Sequence, residues 1–158
     1  YPDPTEWIGF KIYTRPNLTV VPNILPKNIT ILANMFNNTV NFNQDISGWG
    51  VSNVTDMSNM FNGANAFNQP IGNWNVSKVT NMHGMFSSAV AFNQPIGDWK
   101  VGNVTGMSNM FSDATAFNQY IGAWCVSKIA SVPYGFANNA TKFLASNKPK
   151  WGTCPRGY

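Results

Sequence analysis

Apolar residues recur along this chain at an interval of 25 positions. Trp49, Trp74, Trp99 and Trp124 keep that interval, and so does a phenylalanine series. The phenylalanines are Phe36, Phe61, Phe86, Phe111 and Phe136, and the further series are Met35, Met60, Met85 and Met110; Met57, Met82 and Met107; Phe42, Phe67, Phe92 and Phe117; and Ile46, Ile71, Ile96 and Ile121. Several series in one register predict tandem repeats in which each unit packs on its neighbours.

Each unit divides into a strand-like part and a helix-like part. Trp49 and Val51 alternate around Gly50, which predicts a short strand. The spacing of the apolar residues within 54–64 predicts a short amphipathic helix. A strand, a turn, a short helix and a return segment make up one leucine-rich-repeat coil. We therefore predict an α/β solenoid, an irregular leucine-rich-repeat right-handed superhelix of about five 25-residue coils.

The ends of the chain depart from this pattern. We predict an N-terminal cap at 1–23, the solenoid at 24–145 and a C-terminal cap tail at 146–158. In the N-terminal cap, the alternation of Ile8, Phe10 and Ile12 predicts an edge strand between proline-containing segments. The first coil, 24–48, has Ile24 at the tryptophan position. These irregular ends are typical of the caps that close a stack of repeats.

The sequence from Trp49 to Gln69, WGVSNVTDMSNMFNGANAFNQ, resembles the repeat of the BspA-like family of bacterial surface proteins, which is also found in Mycoplasma lipoproteins. That repeat reads W-x-V-S-x-V-T-x-M-x-x-M-F-x-x-A-x-x-F-N-Q. The match is close over 49–123 and extends in degraded form over 24–145. The resemblance implies an irregular leucine-rich-repeat solenoid on a cell surface, with roles in adhesion or in binding matrix and other cells. It implies no catalytic residues.

Charge and hydropathy restrict the classes of partner. Charged residues make up 10% of the chain against 44% hydrophobic ones, so neutral polar groups must cover much of the surface. No apolar run reaches the roughly 20 residues that span a bilayer, which predicts no transmembrane segment. The net charge of +4 comes from basic residues spread over the C-terminal part. This spread argues against nucleic-acid binding, and favours a solvated end, with an anionic glycan or wall polymer as the alternative occupant.

Residues that carry catalysis are dispersed along the chain. His83 is the single histidine and stands in register with Ser58 and Ser108, an outward position without a partner for general-base work or metal binding. The six acidic residues fall in different registers. We therefore predict a protein that is not an enzyme and has no cofactor or metal.

Polar residues also form rows in register. The asparagines Asn43, Asn68, Asn93 and Asn118 are predicted to satisfy backbone groups from coil to coil. The glutamines that follow them form a candidate interaction ladder: Gln44, Gln69, Gln94 and Gln119. The threonines Thr30, Thr55, Thr80 and Thr105 form a further row, for which capping of the predicted helix is favoured over ice binding.

The two cysteines and the asparagine sequons indicate an extracellular protein. Cys125 follows the last Trp of the series, and Cys154 lies near the C-terminus, so a disulfide would hold the tail over the last coil. Seven Asn-x-Ser/Thr sequons are candidate N-glycosylation acceptors. They are Asn17, Asn28, Asn37, Asn53, Asn75, Asn103 and Asn139.

The preferred function is an extracellular or cell-surface module with a structural or adhesive role. Its expected partners are other proteins or copies of itself. The alternative is a lectin-like module that binds polysaccharide through aromatic and amide groups, with ice binding as a third reading. A lectin requires exposed aromatic side chains, whereas we expect Trp49 through Trp124 to be buried, which favours protein adhesion or assembly.

Overall fold

A computed structural model of the chain describes residues 17–158. The expected edge strand through Ile8, Phe10 and Ile12 lies outside the described residues. From residue 24 onward the chain makes five passes, here called coils 1 to 5, which begin at residues 24, 49, 74, 99 and 124. Equivalent residues of successive coils are joined by backbone hydrogen bonds, such as those from the N–H of Thr80 to the carbonyl of Thr55 and from Thr105 to Thr80.

The helix predicted within each coil is absent, and the segment folds instead as consecutive turns. These turn segments are 33–38, 58–63, 83–88, 108–113 and 134–139. In 58–63, the N–H of Met60 and that of Asn62 donate back to carbonyls three residues earlier, both at 3.2 Å. The N–H groups of Asn59, Phe61 and Gly63 point the other way and donate to carbonyls of the next coil at 2.7–2.9 Å. A helix would direct all its N–H groups along its own axis, whereas here alternate groups point sideways and join the coils.

Left-handed residues produce this alternation. The second and sixth residues of every turn segment have positive φ, as at Asn59 (52°) and Gly63 (70°). Asparagine and glycine tolerate this conformation better than other residues do. A Cβ at Gly63 would in addition collide with the side-chain oxygen of Asn38 in the preceding coil. Apolar spacings of three and four are common to helices and to successive turns, which is why the apolar pattern alone predicted a helix.

The strand predicted at 49–51 is also absent, because pairing between coils occurs further along each unit. Isolated parallel bridges join Ile31 to Asp56, Asp56 to Asn81, and Asn81 to Gly106. Within residues 17–158, the one helix is a 3-10 turn at Ala145–Asn147. No helix in this part of the chain has the length and hydropathy needed to cross a membrane. Coil-to-coil hydrogen bonds therefore replace regular secondary structure.

Two columns of phenylalanine rings form the centre of the core. Phe36, Phe61, Phe86 and Phe111 stack with centroids 5.4–5.6 Å apart and planes within 11° of parallel. The column from Phe42 to Phe117 runs beside it with a centroid spacing of 5.9–6.0 Å. All eight rings are fully buried. Each of coils 1 to 4 thus contributes one pair of rings, and the apolar area is buried only when coils stack.

The four tryptophans of the 25-residue series, here called the ladder tryptophans, are buried as predicted: Trp49, Trp74, Trp99 and Trp124 are each 1–4% exposed. Each indole N–H donates to a backbone carbonyl 27 or 28 residues earlier in the chain. Trp99 donates to Ile71 at 3.1 Å, and Trp124 donates to Ile96 at 3.0 Å. The indoles of Trp99 and Trp124 stack at 6.4 Å. A buried Trp needs a partner for its N–H, and the neighbouring coil supplies it.

Both ends of the stack differ from the predicted register. In coil 1, Ile24 at the tryptophan position is 80% exposed, whereas the adjacent Leu25 is 3% exposed and joins the core. In coil 5, the positive-φ residue Gly135 lies 26 residues after its counterpart Asn109, so one residue is inserted between them. Phe136 therefore takes the place of the methionine series, and its ring meets Phe111 edge-on at 81°. The 25-residue phenylalanine series predicted to include Phe136 ends at Phe111.

Replacing Phe86 by alanine should destabilise the fold by about 3–5 kcal/mol, because it opens a cavity between four aromatic neighbours in three coils. His83→Ala is the matched control in the same turn segment. It removes one half-exposed hydrogen bond to Ser108 and should cost about 1 kcal/mol or less. Equal losses in chemical denaturation of the two variants would contradict this assignment of inner and outer faces.

Candidate functional site

The predicted Cys125–Cys154 disulfide is present. It fixes a C-terminal tail that lies along coil 5, where Val126 donates its backbone N–H to Thr153 and Gly152 donates to Ile129, both at 2.8 Å. The Trp151 ring packs edge-on against Phe136 at 4.8 Å. The tail thus covers part of the apolar end of the stack.

Beyond the disulfide, the tail reaches back to coil 4. The Oη of Tyr158 accepts the backbone N–H of Gly102 at 2.7 Å, and the Lys100 Nζ lies 4.7 Å from the centre of the Tyr158 ring. Partial burial raises the pKa of Tyr158, and the hydrogen bond from Gly102 opposes that rise. The equivalent residue in coils 2, 3 and 5 is serine. Glycine at 102 provides the space, because a Cβ there would lie 3.0 Å from the tyrosine ring.

The asparagine and glutamine rows form one hydrogen-bonded network. The Oδ1 of Asn68 accepts the backbone N–H of Asn93 at 2.9 Å and the side-chain amide of Gln94 at 3.1 Å. The same pair of bonds joins Asn43 to 68–69 and Asn93 to 118–119. The predicted structural role of the asparagines is confirmed by these contacts.

The members of the candidate interaction ladder, Gln44, Gln69, Gln94 and Gln119, are all half-buried. Their amide nitrogens donate within the stack, and Gln44 at the first coil donates to the Val21 carbonyl at 2.8 Å. At the other end, Asn147 replaces a glutamine and donates to Asn118 at 2.9 Å. These rows therefore hold coils together, and a role of the glutamines in reading a ligand stays a prediction.

The threonine row is exposed along one side of the stack. Thr55, Thr80 and Thr105 each donate their hydroxyl to the carbonyl of the threonine one coil earlier, at 3.2–3.3 Å. Because no helix starts there, the predicted capping role is wrong. A second exposed row lies beside it, in which the ammonium groups of Lys78 and Lys128 donate to the Oδ1 atoms of Asn53 and Asn103 at 2.9 Å.

The sequon asparagines lie at the surface, with one exception. Asn17, Asn28, Asn53, Asn75, Asn103 and Asn139 are exposed, whereas Asn37 is half-buried. The amide nitrogens of Asn53 and Asn103 donate to carbonyls one coil earlier, at 3.1 and 2.8 Å, and that of Asn139 donates to Asp113. A glycan at those three positions would have to compete with an existing hydrogen bond.

His83, expected to point outward, is half-buried. Its Nδ1 lies 3.0 Å from the Ser108 hydroxyl one coil later. The region 17–158 brings together no group of three histidine, cysteine or acidic side chains suited to a metal ion. Asp45 is an isolated, solvent-exposed acid, and hydrogen bonds from the side chain and then the backbone of Ser47 lower its pKa.

A groove with a volume of about 320 Å³ lies at the C-terminal end of the stack. One wall is the last turn segment, and the other is the tail. We call it the end groove; its lining residues are Val132, Pro133, Gly135, Phe136, Ala137, Asn138, Lys148 and Trp151. The sequence suggested a basic C-terminal end but gave no sign of the groove, because the groove forms only where the tail packs back beside the last turn segment.

Comparison with known proteins identifies one family. Residues 23–152 match the model of a family described as "Mycoplasma protein of unknown function, DUF285". No curated protein and no solved structure is significantly similar to the chain. The family match covers all five coils and the tail as far as Gly152.

Asn68→Ala should destabilise the fold by about 1–3 kcal/mol, because it leaves the half-buried N–H of Asn93 without its acceptor. Gln94→Ala removes only donors and should cost about 1 kcal/mol or less. Thermal unfolding followed by circular dichroism would compare them. A larger loss for the glutamine variant would contradict the structural role assigned to the asparagines.

Removing the disulfide should cost about 3–4 kcal/mol on the chain-entropy model, since the cysteines are 29 residues apart. Reduction should lower the melting temperature and increase hydrogen exchange first in coil 5 and the tail. The control is the Cys125→Ala/Cys154→Ala double variant, whose stability should not respond to reductant. Uniform loosening of all coils would show that the tail does not act as a local cap.

Proposed function

The chain belongs to the DUF285 family of Mycoplasma proteins of unknown function, and on that premise we propose that it is an extracellular or cell-surface repeat protein with a structural and adhesive role. Its partners are other proteins or further copies of itself. It serves by binding and carries out no catalysis. Its fold in this proposal is an irregular leucine-rich-repeat solenoid with caps.

The coil-to-coil register supports the solenoid assignment. Backbone bonds, phenylalanine columns and amide rows all join residues about one repeat apart. Coils 2 to 4 contribute the same groups to the core, and the neighbouring coils cover their apolar residues. This is the arrangement expected of a quasi-one-dimensional repeat protein, in which each unit is stabilised by its neighbours.

The burial of the ladder tryptophans is the observation that carries the adhesive function. With Trp49, Trp74, Trp99 and Trp124 at most 4% exposed, the side of the stack displays two rows of polar side chains. One row has threonine in coils 1 to 4, and the other has asparagine in coils 1, 2 and 4 and lysine in coils 3 and 5. Identical groups on a rigid frame suit a partner that makes many weak contacts at once, because linked contacts raise the overall affinity.

The disulfide supports an extracellular location. Disulfides form and persist in oxidising compartments and are rare in the cytosol. Both cysteines of the described region are used in the bond, and it is the tail that this bond holds. Candidate glycosylation sites at exposed asparagines such as Asn28 and Asn75 are compatible with the same location.

A lectin-like function is the second candidate, and exposed tyrosines favour it. Tyr134 is 82% exposed and Tyr120 is 59% exposed, and a flat aromatic ring can stack on a sugar face. Neither tyrosine recurs at the equivalent position of the preceding coil. The two side chains would therefore form a local sugar site and not a repeated one. Ice binding by the exposed threonine row remains a third reading.

The purified chain should bind at least one component of a panel of extracellular matrix proteins and cell-surface extracts. Replacing the three exposed threonines, Thr55, Thr80 and Thr105, by aspartate should weaken that binding by about tenfold or more, because all three contacts are lost together. The control triple variant carries aspartate at Asn65, Val90 and Thr115, which are also exposed and in register. Binding to a glycan array without protein binding would favour the lectin function instead.

A further inference from the structure

The hydrogen-bond ladder of the turn segments ends with three N–H groups that have no partner within 17–158. In coil 4, Asn109, Phe111 and Asp113 donate to the carbonyls of Tyr134, Phe136 and Asn138, at 2.9, 2.8 and 2.7 Å. The next donors in this series are Gly135, Ala137 and Asn139, and no acceptor in the described chain receives their N–H groups. The last turn segment is thus an edge comparable to an unpaired strand of a sheet.

The tail closes a different part of the stack. Its backbone bonds reach Ile121, Val126 and Ile129, all before the last turn segment. Between that segment and the tail lies the end groove, with a volume of about 320 Å³. Gly135 and Ala137 line it, and Asn139 directly follows the lining residue Asn138. Gly135 and Ala137 are half-buried and Asn139 is exposed, so solvent and ligands can reach this edge.

The groove combines an apolar floor with a positive rim. Phe136 and Trp151 pack together in it, and Lys148 lies at its edge with the Nζ 5.2 Å from the centre of the Phe143 ring. No acidic residue follows Asp113, whereas the same stretch holds four lysines and one arginine. The charge here favours an acidic occupant.

We propose that the end groove binds an acidic segment of a partner protein, which pairs with the last turn segment as the turn segment of a further coil would. Carbonyls of alternate residues of that segment accept from the donors at 135, 137 and 139, as the carbonyls of Tyr134, Phe136 and Asn138 accept from coil 4. An apolar side chain of that segment packs on Trp151, and an acidic neighbour meets Lys148. This inference rests on the proposed adhesive function and identifies one site for it.

The arrangement of the N–H donors at alternate residues 135, 137 and 139 favours a polypeptide over a sugar as the occupant of the groove. Within the molecule, every equivalent set of donors in coils 1 to 4 is paired with alternate carbonyls of a polypeptide. A glycan has no row of carbonyls at this spacing. The positive rim of the groove favours an acidic occupant. It therefore disfavours a second copy of this chain, which has a net charge of +4.

Hydrogen exchange followed by NMR tests whether the edge is open. In the free protein the amides of Gly135, Ala137 and Asn139 should exchange at least about a hundredfold faster than those of Asn109, Phe111 and Asp113, which are hydrogen-bonded equivalents. Comparable protection of the two sets in the free protein would overturn the proposal, because the edge would then be covered already.

Binding is tested with a fluorescein-labelled octapeptide that has a central phenylalanine, threonines around it and a glutamate on each side. It should bind with micromolar affinity and slow the exchange of the three edge amides. Lys148→Glu should weaken binding about tenfold or more, whereas Lys142→Glu, an exposed control outside the groove, should change it less than about twofold. The same peptide with lysines for glutamates should also bind at least about tenfold more weakly.

Ala137→Pro tests the backbone contact directly, since proline removes the central N–H. It should abolish the slowed exchange on peptide addition while retaining the native circular dichroism spectrum. Should this variant fail to fold, the Lys148→Glu and Lys142→Glu pair still decides the question in folded protein.

Four further outcomes would overturn the proposal. They are absence of peptide binding, equal losses in the two lysine variants, displacement of the peptide by an anionic glycan at equal concentration, and a concentration-dependent dimer in which the edge amides become protected. Peptide failure with retained binding to the matrix panel would reject the groove and leave the adhesive function standing. Peptide binding with a negative panel would support the groove and reject the wider function.

Discussion

The structure depends on the alternation of backbone N–H groups in the turn segments. One set closes each turn, and the other joins the turn to the next coil. Positive φ at two residues per segment makes this alternation geometrically feasible, since a helical backbone would direct all its donors along its own axis. In coils 1 to 4 the turn segments thereby satisfy the N–H groups of their second to sixth residues, although residues 17–158 contain almost no regular secondary structure.

Stacked side chains hold the coils together in the same direction. The phenylalanine columns fill the centre, and the indole N–H of each ladder tryptophan is satisfied by the neighbouring chain. On the outer side, the asparagine Oδ1 atoms accept both a backbone N–H and a glutamine amide. Core and polar network therefore share one period, and a residue change in either affects two interfaces between coils.

A repeat of this kind must end, and its last coil departs from the register of the others. At the C-terminal end, a one-residue insertion rotates Phe136 out of the parallel stack, and Phe143 meets the Phe111 and Phe117 rings edge-on. The disulfide then fixes the tail against this surface. The closure is incomplete over the last turn segment, which leaves polar donors beside an apolar groove at the most basic part of the chain.

The sequence by itself determined the repeat, its period and the identity of the core. Residues recurring every 25 positions had to lie on one another, so the burial of Trp74 or Phe86 followed without coordinates. The same reasoning paired Asn68 with the backbone of the next coil. These predictions succeeded because they rest on register, which a periodic sequence states directly.

Only the tertiary structure decided the local backbone and the end of the stack. The apolar spacing of 54–64 is compatible with a helix and with turns, and the choice falls to turns because Asn59 and Gly63 adopt positive φ and donate to a neighbouring coil. The end groove arises where a one-residue insertion, a disulfide and a free edge meet. Hydrogen bonds between coils are long-range contacts that no local pattern encodes, which is why the sequence predicted what is buried but not how the chain turns.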